Sequence, residues 1–164
     1  MSEPSHGIKD ETALSKLSYE QIEQKLLDVP KDRLIALLGS TSIKVGDTAA
    51  SVLWRRQESE AVAAAVLLGT AKSKISKLRA TYVMGRDENP SQLCKKALVR
   101  LVDDRNDEVA GNALFALVKL AAEDVLPKLE LLKSEDRSRS KRIVLAMEAI
   151  KRRDPKLFSP NYGG

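Results

Sequence analysis

Aromatic residues are scarce in this chain: two Phe, three Tyr and one Trp among 164 residues. The β-branched runs and alternating apolar pattern of strands are equally hard to find, while Ala and Leu are plentiful. Small and straight-chain apolar residues suit helix packing, so the composition predicts an all-α fold. A single cysteine, Cys94, excludes an internal disulfide framework. No apolar run approaches the ~20 residues of a membrane span, so no membrane partner is expected. The opening MSEPSHGIKDET is polar and partly acidic, unlike a secretory signal or transit peptide, and a cytoplasmic location is the expectation. There is no glycine-rich phosphate loop, nucleophile elbow or metal-ligand cluster. No cofactor or metal is therefore expected, and catalysis is the less favoured expectation, because an active site needs no local motif. The adjacent carboxylates Glu58 and Glu60 suit the N-terminal dipole of a helix.

What is present is a repeat. Leu37 opens LLGSTSIKVGDTAASVLWRR, Leu67 opens LLGTAKSKISKLRATYVMGR, Leu101 opens LVDDRNDEVAGNALFALVKL and Leu131 opens LLKSEDRSRSKRIVLAMEAIKRR, at starts 30, 34 and 30 residues apart. Such a period marks stacked supersecondary units. Val45, Ile75 and Val109 share one position, Ala50, Ala80 and Leu114 another, and Leu53, Val83 and Leu117 a third. In the first unit Val45, Ala49, Ala50, Leu53 and Trp54 form one helical face. The fourth unit needs about three extra residues before Ile143.

A shorter helix is predicted ahead of each. Lys31–Leu38 and Glu60–Leu68 stop at Gly39 and Gly69, glycines suited to a left-handed helix end. Asn89, Pro90 and Gln92 read as cap, first helical residue and capping-box partner for the third, and Glu123–Leu132 supplies the fourth. Ser18-Tyr19-Glu20-Gln21 opens an additional N-terminal helix running to about Asp28. Since neither helix of a pair can bury its face alone, the pairs must stack. Residues 1–17 are expected to form a flexible tail and 18–153 the repeat domain. In the tail at 154–164, Leu157, Phe158 and Tyr162 are expected to cover the last repeat.

These segments resemble HEAT repeats, the two-helix units of α-solenoids, over about Lys31–Arg153. The third is the closest in pattern: LVRLVDDRNDEVAGNALFALVKL, Leu98–Leu120, has paired aliphatics, an acidic turn, a Val opening the second helix and the pair Ala113-Leu114. The resemblance implies a short right-handed α-solenoid of about four HEAT-like pairs plus an N-terminal capping helix. It also implies a protein-binding scaffold whose partners lie on the second helices. HEAT units often tie neighbouring turns through an Asp in the turn and an Arg after the Val. Asp104 fits the first role, but Gly46, Ser76 and Ala110 occupy the second, so that tie is absent or replaced. Arg79 falls where the sister repeats have Ala49 and Ala113, and on that register the second unit exposes more of its helix. The HEAT-like deoxyhypusine hydroxylases need His–Glu pairs for iron, and the only histidine here is His6. HEAT-like DNA glycosylases and bilin lyases leave no motif that transfers, and a HEAT-like enzyme such as a lyase is the third reading after a protein-binding scaffold and a nucleic-acid-binding solenoid.

The outward face of the second helices reads Lys44, Asp47, Ser51 and Arg55, then Lys74, Lys77 and Thr81, then Glu108, Gly111, Phe115 and Lys119, with Lys72 and Arg79 alongside. The fourth unit adds Arg137, Arg139, Lys141 and Arg142. With 28 basic residues against 23 acidic ones, a net charge of +5 and a pI near 9.3, this face has three readings. It is a solvated surface, a site for an acidic protein, or a phosphate-binding surface for nucleic acid. The aromatic interleaving of single-strand binders is sparse, with Phe115 and Tyr82 the available rings. Phe115 is suited to anchor a partner if exposed, burial being the alternative. Cys94 and Trp54 read as core residues.

Overall fold

The computed structural model describes residues 6–133 and 136–159, which form ten α-helices and no strand. The four predicted pairs are α3 (Lys31–Leu37) with α4 (Ile43–Arg55), α5 (Ser59–Leu68) with α6 (Lys74–Met84), α7 (Gln92–Val102) with α8 (Asp107–Lys119), and α9 (Leu126–Leu131) with α10 (Arg137–Arg152). Ahead of them, α2 (Tyr19–Leu26) starts on the predicted capping box, with Ser18 accepting from the Gln21 amide and Gln21 reaching back. The segment expected as a flexible tail instead contains α1 (His6–Ser15). Leu14 and Leu17 pack on the core, the Ser40 hydroxyl donates to Glu11, and the Lys44 ammonium donates to the Leu17 carbonyl at 2.7 Å. Two leucines three residues apart are too brief a pattern to announce a helix. Residues 1–5 lie outside the described residues.

Each second helix opens on a side chain that accepts amides of the first turn: Ser42 for α4, Ser73 for α6, Asn106 for α8 and Asp136 for α10. Such caps fix where a helix starts. Counted from them, the seventh residues are Ala49, Ala80, Ala113 and Ile143, and the eleventh are Leu53, Met84, Leu117 and Met147, all buried. Alignment on the Leu-Leu openings misses this register by one residue in the second unit. The step from Leu67 to Ser73 is six, whereas Leu37 to Ser42, Leu101 to Asn106 and Leu131 to Asp136 are each five. Three expectations change as a result. Ile75 is exposed rather than equivalent to Val45 and Val109. Thr81 is buried, at the place of Ala50 and Leu114, and Tyr82 takes the outward position instead. The fourth helix needs no insertion, because Arg139 stands where Val45 and Val109 stand.

Packing follows chain order at two levels. The preceding α2 packs on α4, among the second helices α4 packs on α6, α6 on α8 and α8 on α10, and among the first helices α5 packs on α7. The core between the levels is almost wholly aliphatic, from Ile22 and Leu34 through Leu98 and Leu117 to Ile150, with Cys94 fully buried among them. Each fully buried Leu or Ile contributes roughly 1.5–3 kcal/mol. Trp54 packs half-buried against this core and donates its indole N–H to the Arg86 carbonyl at 3.2 Å.

The helix ends differ in detail from expectation. Gly69 ends α5 in the left-handed conformation at φ 76°, but Gly39 does not adopt a positive φ, and α3 closes on right-handed Leu38. Ser91, not Asn89, caps α7, and Gln92 turns to Asp124 at 2.8 Å. The fourth first helix is divided into a 3₁₀ turn, Glu123–Val125, and α9, with Pro127, which has no amide to donate, at the junction. At the C-terminus Phe158 is buried in the core while Leu157 is exposed. Tyr162 lies outside the described residues.

Candidate functional site

The basic residues singled out in the sequence are held largely by the protein's own carboxylates and carbonyls. The turn between α7 and α8 is acidic, with Asp103, Asp104, Asp107 and Glu108 around the Asn106 cap. From α6, Lys74 pairs with Glu108, and Lys77 with Asp104 at 2.6 Å. From α10, Arg139 lies 3.8 Å from Asp103, 3.4 Å from Asp107 and 2.9 Å from the Asp104 carbonyl, and Arg142 is 3.2 Å from Asp107. The second- and fourth-unit clusters thus converge on one turn from opposite sides. On the cap register Lys77 is the residue after the place of Val45 and Val109, and its bond to Asp104 ties α6 to the turn before α8.

Asp104 sits at the centre of that turn. Partial burial pushes its pKa up. The Lys77 ammonium, the Asn106 amide and the charges of Lys77 and Arg139 outweigh this and hold the carboxyl below its ordinary value. A lowered folded-state pKa stabilises the protein above the unfolded value, about 3.9 for Asp, and that stabilisation fades as pH falls through the folded value. Asp104→Asn is therefore expected to lower the urea midpoint at pH 7 and to lower it less at about pH 3, below the unfolded-state value of about 3.9. An equal loss at both pH values would contradict the ionised pair.

Arg79, expected to leave its helix more exposed, is buried. Its Nη1 donates to the carbonyls of Leu38 at 2.9 Å and Ser40 at 2.6 Å, and its Nε to Asp47 at 2.9 Å. A β-carbon on Gly46 would fall inside this guanidinium. The space left by Gly46 is thus the space that an arginine from the next helix pair fills. Of the remaining candidates, Lys44 is held by the Leu17 carbonyl. Lys72, Arg137 and Lys141 are exposed with no ion-pair partner among the described residues. Lys72 lies on the rim of an apolar groove of about 800 Å³ between α3 and α5.

A different cluster stands on the outer face of the second helices. The ninth residues after the caps are Ser51, Tyr82, Phe115 and Leu145, and four residues later come Arg55 at the end of α4, Arg86 in the turn just past α6 and Lys119 at the end of α8. Residues four apart share a helix face, and here the pairs interact. The Arg86 guanidinium lies 4.2 Å from the Tyr82 ring centre and 5.6 Å from that of Trp54, and Lys119 lies 5.9 Å from Phe115. Phe115 is half-buried and packs on the core, whereas Tyr82 is 39% exposed. Between the rings is a groove of about 150 Å³ bounded by Leu78, Tyr82, Gly85, Asn112, Phe115 and Lys119. A β-carbon on Gly85 would come within 2.8 Å of the Ala116 side chain, so the two helices approach closely at its floor. The sequence reading included Phe115 and Lys119 but missed Tyr82 and Arg86 as their counterparts. The signal that finds them is the spacing from Ser73.

The chain matches no protein-family model, no curated protein and no solved structure.

Proposed function

We propose that this chain is a short right-handed α-solenoid of about four HEAT-like pairs, with α2 as its N-terminal capping helix, that binds an acidic protein on its second helices as a non-catalytic cytoplasmic adaptor. Support for the stacked arrangement comes from the side-chain ties between units. Trp54–Arg86, Arg55–Glu23, Arg79–Asp47, Lys77–Asp104, Lys95–Asp124 and Arg153–Glu123 each span between 27 and 32 residues, about one repeat. The observation that carries the binding reading is the pair of aromatic–cation couples at one register, exposed Tyr82 with Arg86 just past the end of α6 and half-buried Phe115 with exposed Lys119 on α8. Aromatic and arginine side chains are the types that dominate recognition hot spots. Nucleic-acid binding by the basic clusters has less support, because Lys74, Lys77, Arg139 and Arg142 are already met by carboxylates.

The test is site-specific photocross-linking in cells, with a benzophenone amino acid in place of Phe115 on α8 or of exposed Glu60 on α5. Adducts to acidic proteins at position 115 and none at position 60 are expected. Adducts confined to position 60 would place recognition on the first helices and defeat the proposal.

A further inference from the structure

Among the described residues, two cations in the outward register have no carboxylate partner. Arg55, on α4, is paired with Glu23 at 2.6 Å. Arg86, in the turn just past α6, and Lys119, at the end of α8, have only aromatic faces as side-chain partners among the described residues. The acidic residue next to Arg86 is otherwise engaged, since Asp87 accepts from the Ser59 hydroxyl and the Asn89 amide. A contact with a ring face uses none of a guanidinium's N–H donors, and two of those donors can receive a carboxylate on parallel bonds. Resting on Tyr82 and Trp54, the Arg86 head is also held before any ligand arrives, which lowers the entropic cost of binding.

We infer that Arg86 and Lys119 clamp two carboxylates of an acidic peptide segment whose aliphatic side chain enters the groove between Tyr82 and Phe115. This rests on the second-helix reading above and specifies its ligand. At about 150 Å³ the groove has room for one aliphatic side chain rather than for a nucleotide. A single nucleic-acid strand would need uncovered ring faces for its bases, and here Arg86 and Lys119 lie over those faces. Asn112, whose amide nitrogen donates to the Glu108 carbonyl at 2.8 Å, borders the same groove and leaves its side-chain oxygen for a peptide N–H.

The experiment is fluorescence anisotropy on the whole protein with a labelled peptide carrying several Glu residues around one Leu. Controls are the peptides with Glu→Gln or Leu→Ser, and an unlabelled single-stranded oligonucleotide as competitor. Arg86→Ala is expected to weaken binding at least about tenfold, the size of a lost charge-assisted hydrogen bond. Lys119→Ala weakens it less, Arg86→Lys retains part of it, and both control peptides bind worse than the parent. The substituted side chains are exposed, and unchanged circular dichroism verifies folding. Unchanged affinity in Arg86→Ala, equal binding of the Gln peptide, absence of binding, or full displacement by the oligonucleotide would each overturn the clamp. The second-helix reading itself stands or falls on the cross-linking at position 115.

Discussion

Arg79→Ala is expected to lower the unfolding free energy by about 3 kcal/mol, because two buried carbonyls lose their donor and the guanidinium leaves a void. The carbonyls are those of Leu38 and Ser40, between α3 and α4, so the arginine joins α6 to this turn and, through Asp47, to α4. For a chain of this length the loss corresponds to a fall of about 6–12 °C in melting temperature. Arg79→Lys recovers less than half, since an ammonium cannot reproduce the planar fork. Gly46 supplies a sharper check. Gly46→Ala in the wild type drives a β-carbon into the guanidinium and destabilises. In the Arg79→Ala background the clash is gone and the helix gains up to about 1 kcal/mol from replacing glycine. A thermal-melt double-mutant cycle reads this change of sign. Additive effects would show that Gly46 and Arg79 do not share the space.

The second large effect concerns charge held in reserve. Changing Asp103, Asp104 and Asp107 to Asn and Glu108 to Gln removes four negative charges, so the net charge of +5 becomes +9. It also releases Lys74, Lys77, Arg139 and Arg142 from their carboxylates. Duplex DNA is expected to bind the variant at least about tenfold more tightly than the wild type at low salt, with a log–log salt slope near about −3 to −4 if all four cations reach phosphates. Circular dichroism shows whether the variant remains helical, as the intact Asn106 cap favours. Tight, salt-steep binding by the wild type itself would show that the acidic turn does not silence the basic clusters, and would favour nucleic acid as the partner.

The all-helical architecture and the four helix pairs were legible because apolar spacing at helical period survives in every unit. Caps were legible where a box was complete, as at Ser18, and misplaced where a Pro suggested an earlier start, as at Asn89 before Ser91. The one-residue slip in the second unit arose from anchoring on Leu67 when the turn to Ser73 carries an extra residue. From that slip follow the placement of Thr81 outside instead of Tyr82 and the comparison of Arg79 with Ala49 instead of Thr48. At the candidate site, the presence of many cations was plain in the sequence but their partners were not, because every tie crosses about 30 residues. A lysine facing Asp104 reads in sequence the same as a lysine facing water. Helix α1 was missed for a related reason: Leu14 and Leu17 gain their meaning only from the core they cover.

The claim at the centre of this account is that recognition takes place on the aromatic–cation face of α6 and α8. Backbone amide shift mapping during titration with the Glu-rich, Leu-centred peptide tests it most directly. Perturbations concentrated from Leu78 to Arg86 and from Asn112 to Lys119, with α5 and α7 unmoved on their outer faces, are the predicted result. Shifts centred instead on Ala61, Ala64 and Leu68, in the groove between α3 and α5, would contradict it.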